Sequence, residues 1–190
     1  MNQPSPERRV EPTGRAVVIY ESMFGNTAAL ARAVGRGLED YGFAVDVTDV
    51  GAAPPADELA TDLLVLGAPT HAFSLSHRRT REDAVRQGAP SDRAEAGLRE
   101  WIAGARVNPR DSLVPVAFFD SRAGAVRRLP GSAAHKATRL ARAAGFRRQL
   151  GTESFYVHDV DGPLLPGEEN RARAWGRQVA AQSRARSRVG

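Results

Sequence analysis

Residues Val17-Val18-Ile19-Tyr20-Glu21-Ser22-Met23-Phe24-Gly25-Asn26-Thr27 change character twice. The apolar, β-branched start reads as a strand buried on both faces. A short turn through Ser22, Met23, Phe24, Gly25 and Asn26 follows. From Thr27 onward Leu30, Val34 and Leu38 recur at helical spacing. A strand that runs straight into a helix leaves backbone N–H groups unpaired at the helix start, where the helix dipole is positive. That is an anion site. The hydroxyls of Ser22 and Thr27 and the amide of Asn26 add donors, and Gly25 lets the backbone bend closely round the anion. The turn contains no Lys or Arg. It is therefore neither the Gly-x-x-x-x-Gly-Lys-Ser/Thr loop nor the Gly-x-Gly-x-x-Gly turn. An anion here is held by neutral donors.

The chain around this turn has 190 residues, enough for one α/β domain with a full core. Cysteine is absent, which excludes disulfides, thiolate nucleophiles, Cys-ligated zinc and iron–sulfur clusters. Residues Met1 to Arg9 are polar and do not read as a signal peptide, and no stretch is long and apolar enough to span a membrane. The expected location is the cytoplasm. The net charge is +5, and Lys136 is the only lysine. Basic charge can serve nucleic acid or an anionic membrane. Here the arginines are scattered and few aromatics separate them, so nucleic acid is not an expected partner.

Outward from the turn, apolar runs alternate with helical patterns. Strands are expected over residues 15–20, 43–48, 63–68 and 113–119 and within 146–157, the last broken near Gly151. Pro115 is awkward inside the fourth. Helices are expected from Thr27 to Tyr41, from Asp92 to Gly104, from Ser132 to Ala144 and from Gly167 onward, with Ala172, Trp175 and Val179 facing inward on the last. Pro54-Pro55 forces a loop before a short helical turn at 56–60. Between 77 and 90 a long, Arg-rich connection carries a short helix capped near Thr80. Residues 1–13 read as a disordered tail, 14–182 as one domain and 183–190 as a fraying end. Such alternation implies a doubly wound α/β fold, a five-stranded parallel sheet of order 2-1-3-4-5. Its ligands bind between strands one and three, at their carboxyl ends. The turn Ser22–Thr27, the turn Pro69–Ser74 and the end of strand four, Asp120–Gly124, should therefore meet.

This arrangement resembles the flavodoxin family, for which FMN at that switch point is the usual example. The family's first-strand pattern is two aliphatic residues, an aromatic, any residue, Ser or Thr, two more residues, a small residue, any residue and then Thr. Val18 to Thr27 follow it, and the resemblance covers about residues 15–181. It implies a flavodoxin-like, FMN-binding redox protein that transfers electrons. The first loop, Ser22, Met23, Phe24, Gly25, Asn26 and Thr27, would bind the phosphate. Pro69, Thr70, His71, Ala72 and Phe73 would line the isoalloxazine ring. Asp120, Ser121, Arg122 and Gly124 would flank the ribityl chain or the ring edge. The run Gly67-Ala68-Pro69-Thr70 looks most like quinone-reductase-type flavodoxins, which implies a nicotinamide donor and a quinone acceptor as alternatives to a redox partner protein. Two departures stand out. Electron shuttles of the family are usually acidic, whereas this chain is basic. Where they stack an aromatic after strand four, this chain has Asp120, Ser121 and Arg122.

Other readings of single residues stand beside these. His71 is a solvent-facing loop residue, or an imidazolium that stabilises reduced flavin. Phe73 packs its own loop or stacks on the ring. Arg78, Arg79 and Arg81 form a solvated face or attract an anionic substrate. His77, His135 and His158 show no metal-ligand spacing. A response-regulator receiver domain shares the strand order but needs an Asp ending strand three and a Lys ending strand five. Here strand three ends in Gly67-Ala68-Pro69, and Lys136 falls in a helix. A flavin-free interaction or regulatory module on the same fold is the remaining alternative.

Overall fold

Six strands and five α-helices alternate through residues 12–71, 73–109, 111–126 and 131–185, which the computed structural model describes. β1 (Arg15–Tyr20), β3 (Leu63–Pro69) and β4 (Val116–Ala123) are apolar runs because both of their faces are covered. Their side chains alternate between two cores. Val18, Val65 and Phe119 face α1 (Asn26–Glu39) and α5 (Glu168–Ala185). Ile19, Leu66 and Phe118 face α3 (Leu98–Gly104) and α4 (Ala133–Ala144). In the first core Phe119, Phe155 and Trp175 meet edge to face, with ring centroids 6.1 Å apart. β2 (Ala44–Asp49) is the half-buried edge strand.

The sheet order is β2-β1-β3-β4-β5-β6. The first five strands are parallel and in the expected order, so the switch point lies between β1 and β3. A sixth strand corrects the expected count of five. β5 (Gln149–Asp159) turns back into β6 (Gly162–Leu164), which pairs antiparallel with it at Val157–Leu164 and Asp159–Gly162. Three residues, one of them proline, carry too little alternation to be read as a strand. β5 is irregular near Gly151: Val116 pairs with Gln149 and Ala117 with Gly151, which leaves Leu150 as the extra residue of a bulge.

Several boundaries differ from expectation for local reasons. β4 begins after Pro115, which has no N–H for the ladder, and continues to Ala123. Asp120, Ser121 and Arg122 therefore belong to the strand rather than to a loop. The helix expected from Asp92 is interrupted: residues 91–94 form one 3-10 turn, and α3 starts only after Gly97. α2 (Arg78–Arg86) is capped by His77, with Thr80 reciprocating. Residues 1–11 and 186–190, which hold most of the expected tails, lie outside the described residues; Thr13 already donates its N–H to the Gly42 carbonyl at 2.8 Å. No helix among the described residues is long and apolar enough to cross a membrane.

Candidate functional site

The first loop is locked by one hydroxyl. Ser22 Oγ accepts the N–H groups of Gly25 at 3.1 Å and Ala28 at 3.2 Å. Gly25 sits at φ 89°, a left-handed conformation that a side chain disfavours. It leads into α1 without a side-chain cap of its own, so that in the first turn Ser22 holds the Ala28 N–H, and no acid lies there. The start of α4 is different. There Thr70 Oγ1, Asp120 Oδ2 and Ser132 Oγ accept the N–H groups of Ala133, Ala134 and His135 at 3.0, 3.0 and 3.3 Å. Side chains hold three N–H groups at the start of α4 and one, that of Ala28, in the first turn of α1, so α1 is the less capped of these two helix starts at the carboxyl edge.

Three strand ends enclose one cleft of about 210 Å³. After β1 it is lined by Ser22, Met23, Phe24, Asn26 and Thr27; after β3 by Pro69, Thr70, His71 and Phe73; at the end of β4 by Ser121, Arg122 and Ala123. Thr27 Oγ1 and Ser121 Oγ meet at 2.8 Å across the switch point. Gly25 shapes the turn without lining the cleft. Gly124 stands behind it, where a Cβ would come within 3.5 Å of the Val157 carbonyl. Ala72 lies outside the described residues. Asp120 corrects the sequence expectation, because strand alternation turns its side chain onto the Phe118 face. It is fully buried, with Oδ2 on the Ala134 N–H. Burial pushes its carboxyl above the ordinary range.

The far wall was not foreseen. It consists of Val157 on β5 and Val160 in the hairpin tip. A valine flanked by Asp159 and Asp161 in a turn, 59% exposed, is the only local signal. The hairpin is pinned from the first loop, since Asn26 Nδ2 donates to the Asp161 carbonyl at 2.9 Å. On the opposite lip His71 and Ser74 exchange two backbone hydrogen bonds of 2.9 Å. Phe73 between them takes φ 61° and remains 46% exposed. A bulky residue in that region stores strain, which concentrates at ligand clamps. Among the described residues, His71 Nε2 is buried and has no hydrogen-bond partner. Burial, then the charges of Arg81 and His77, push the imidazole below its ordinary 6.5.

The Arg-rich connection is a buttress. Arg78 and Arg79 are exposed, Arg78 pairing with Glu82 at 3.0 Å. Arg81 is only 2% exposed, and it donates to Ser76 Oγ at 3.0 Å, Glu100 Oε2 at 3.1 Å and the Ala94 carbonyl at 3.1 Å. It is therefore neither a solvated face nor a ligand contact. Glu21 completes this cluster: its Oε2 accepts the Leu98 N–H at 2.9 Å and starts α3. Burial pushes its carboxyl up. α2 packs Ala84 and Val85 on Met23 and Phe24, which puts a wall behind the first loop. Among the described residues no His, Asp or Glu cluster could hold a metal.

A sparsely capped helix start beside neutral hydroxyls lies at the switch point of a 2-1-3-4-5 sheet, the place where open α/β sheets bind their ligands. The flavodoxin family model matches residues 18–175, and the chain belongs to that family. FMN is the family's cofactor and electron transfer its activity. The residues present fit the group: hydroxyl donors and a positive helix end for a phosphate, and an orphaned His71 Nε2 with apolar lips for a ring. A flavodoxin from the domain Archaea superposes with a TM-score of 0.59 at 18% identity, covering 90% of this chain and 99% of that one. The flavodoxin WrbA-like protein from Agrobacterium tumefaciens gives 0.54 at 19%, covering 91% and 99%. Rubredoxin oxygen:oxidoreductase from Desulfovibrio gigas gives 0.57 at 15%, covering 93% of this chain but 38% of the larger one. At such identities these likenesses speak for the fold. No curated protein matches the chain.

Proposed function

We propose that FMN occupies this cleft, and that the protein is a small flavin oxidoreductase taking electrons from NADH or NADPH and passing them to a quinone. In this reading Ser22, Thr27 and the start of α1 hold the phosphate. His71, Phe73, Arg122 and Val160 surround the ring. The observation that carries it is the division of the cleft into a hydroxyl-lined end and an end with two exposed apolar lips, Phe73 and Val160. Open lips suit a small planar substrate stacking beside the ring. Bound FMN supplies the redox chemistry; the chain supplies position and electrostatics. The exposed Arg78 and Arg79 lie on the neighbouring helix and suit the phosphates of a nicotinamide nucleotide.

The test is anaerobic. NADH or NADPH should bleach the bound flavin directly, and a soluble quinone should restore its colour. Failure with both nicotinamides, together with rapid reduction by a flavodoxin reductase, would make the protein a carrier between proteins. A colourless preparation that does not quench added FMN fluorescence would leave the flavin-free module.

A further inference from the structure

We infer that Asn26 is a positioning residue: its side chain latches the β5–β6 hairpin to the first loop and so sets the wall that Val160 presents to the flavin ring. The inference rests on the FMN reading above, and it assigns the Asn26 side chain to the ring end of the cleft rather than to the phosphate.

Asn26 is the first residue of α1, beside the turn that leads out of β1. Read in sequence, its amide is a donor for an anion; in the folded chain the amide faces the hairpin. Nδ2 donates to the Asp161 carbonyl at 2.9 Å. The next residue, Gly162, lies so close that a Cβ on it would stand 2.6 Å from Nδ2 and 2.7 Å from Oδ1. Gly162 also takes φ 110°, so the backbone and the Asn26 side chain both require glycine there. The other amide atom, Oδ1, only accepts hydrogen bonds and repels a phosphate oxygen.

Little else holds the tip of the hairpin. β6 is three residues long and pairs with β5 at Val157–Leu164 and Asp159–Gly162. At the base, Leu165 donates its N–H to the Tyr156 carbonyl at 2.9 Å. At the tip, Asp159 Oδ1 accepts the Val160 N–H at 2.7 Å, which shapes the turn without anchoring it. Among the described residues, the bond from Asn26 is the hydrogen bond that joins residues 160–161 to another element. A two-stranded ribbon is marginal by itself. Val160 lines the cleft on the lip opposite His71 and Phe73. Its place, and with it the width of the slot open to a planar ring, follows from the latch. A wall already in place need not be ordered when the ring binds, which favours binding.

The experiment compares wild type, Asn26→Ala, Val160→Ala and the double variant. Hydrogen exchange of the flavin-free protein reads the latch. Asn26→Ala should speed exchange of the amides of residues 157–164 about fivefold, the loss of one neutral hydrogen bond, and leave α4 unchanged. Unchanged exchange in the hairpin overturns the inference. An equal acceleration in α4 overturns it too, because the whole fold is then weakened. Titrations with FMN and riboflavin read the consequence. Asn26→Ala should weaken both by the same factor, about fivefold, because both carry the ring. Loss of FMN affinity with riboflavin affinity kept would make Asn26 a phosphate ligand and overturn the inference. The double variant should bind each flavin within about twofold of the weaker single variant, since both residues act through one wall. Losses that multiply would make Asn26 a direct contact of the flavin, which also overturns it. A wild-type protein that takes up neither flavin fails the FMN reading instead, and the exchange measurement still decides the latch.

Discussion

Thr27 Oγ1 lines the cleft and touches Ser121 Oγ at 2.8 Å. A hydroxyl donating to a phosphate oxygen is worth about 1.5–3 kcal/mol. Thr27→Ala should therefore weaken FMN binding roughly tenfold or more in a fluorescence titration. Its far-ultraviolet circular dichroism should stay unchanged. Unchanged affinity would place the phosphate elsewhere. Glu21 is a pH-dependent case. Its folded carboxyl titrates above the ordinary 4.5 because it is buried, so stability from its protonation is present below 4.5 and is lost as pH rises through the folded value. Glu21→Gln stays neutral and still offers Leu98 an acceptor. The stability of Glu21→Gln minus that of wild type should grow with pH from about 4.5 upward and then level off. Denaturant melts at several pH values measure this, and a flat difference would show that Glu21 titrates normally.

At the scale of elements, α1 and α5 approach so closely that only glycine fits between their backbones. They cross where Gly37 and Gly176 bring the backbones together. A Cβ on Gly37 would collide with the Arg173 carbonyl, and one on Gly176 with the Val34 carbonyl. Ion pairs frame the crossing, Arg36–Glu169 at 3.4 Å and Arg177–Asp40 at 3.3 Å. Two effects oppose each other in Gly176→Ala. Helix propensity favours alanine by roughly 1 kcal/mol. Overpacking against rigid backbone costs about 1–3 kcal/mol, more where no side chain can move aside. The collision should win, so the denaturation midpoint of Gly176→Ala should fall. A rise would mean that the two helices can separate at little cost. The hairpin β5–β6 is held more lightly, by its two strand pairs and by Asn26, yet it supplies the far lip of the cleft.

For the whole molecule, the net charge of +5 reflects arginines used in structure as much as a surface potential. Arg81 and Arg99 clamp the connection after β3, and Arg171 joins α5 to Glu153 and lies 4.5 Å above the Phe155 ring. A cofactor bound only by the folded chain stabilises all of it by mass action, about 2.7 kcal/mol at a concentration one hundred times Kd. For a domain of this size that is a rise in Tm of roughly 5–10 °C. FMN should produce that rise, and riboflavin, which lacks the phosphate, a distinctly smaller one. Equal shifts for the two would remove the role assigned to the start of α1.

The sequence by itself determined the sheet order, the turn Ser22–Thr27 and the meeting of three strand ends. These depend on periodicity and on chain chemistry that is local: β-branched runs for central parallel strands, Gly25 for a left-handed turn, hydroxyls where a helix begins. Tertiary structure alone decided the rest, because each remaining feature depends on partners distant in sequence. β6 exists only because β5 offers it an edge. Arg81 is buried because Ser76, Ala94 and Glu100 converge on it. Asp120 and Ser121 point to opposite faces because β4 extends three residues beyond Asp120, and composition does not say where a ladder stops. Burial then shifted the titrating groups, pushing the His71 imidazole below its ordinary value and the Asp120 carboxyl above it. A residue's ionisation follows from the solvent it has lost, and that is a property of the packed molecule rather than of its neighbours in the chain.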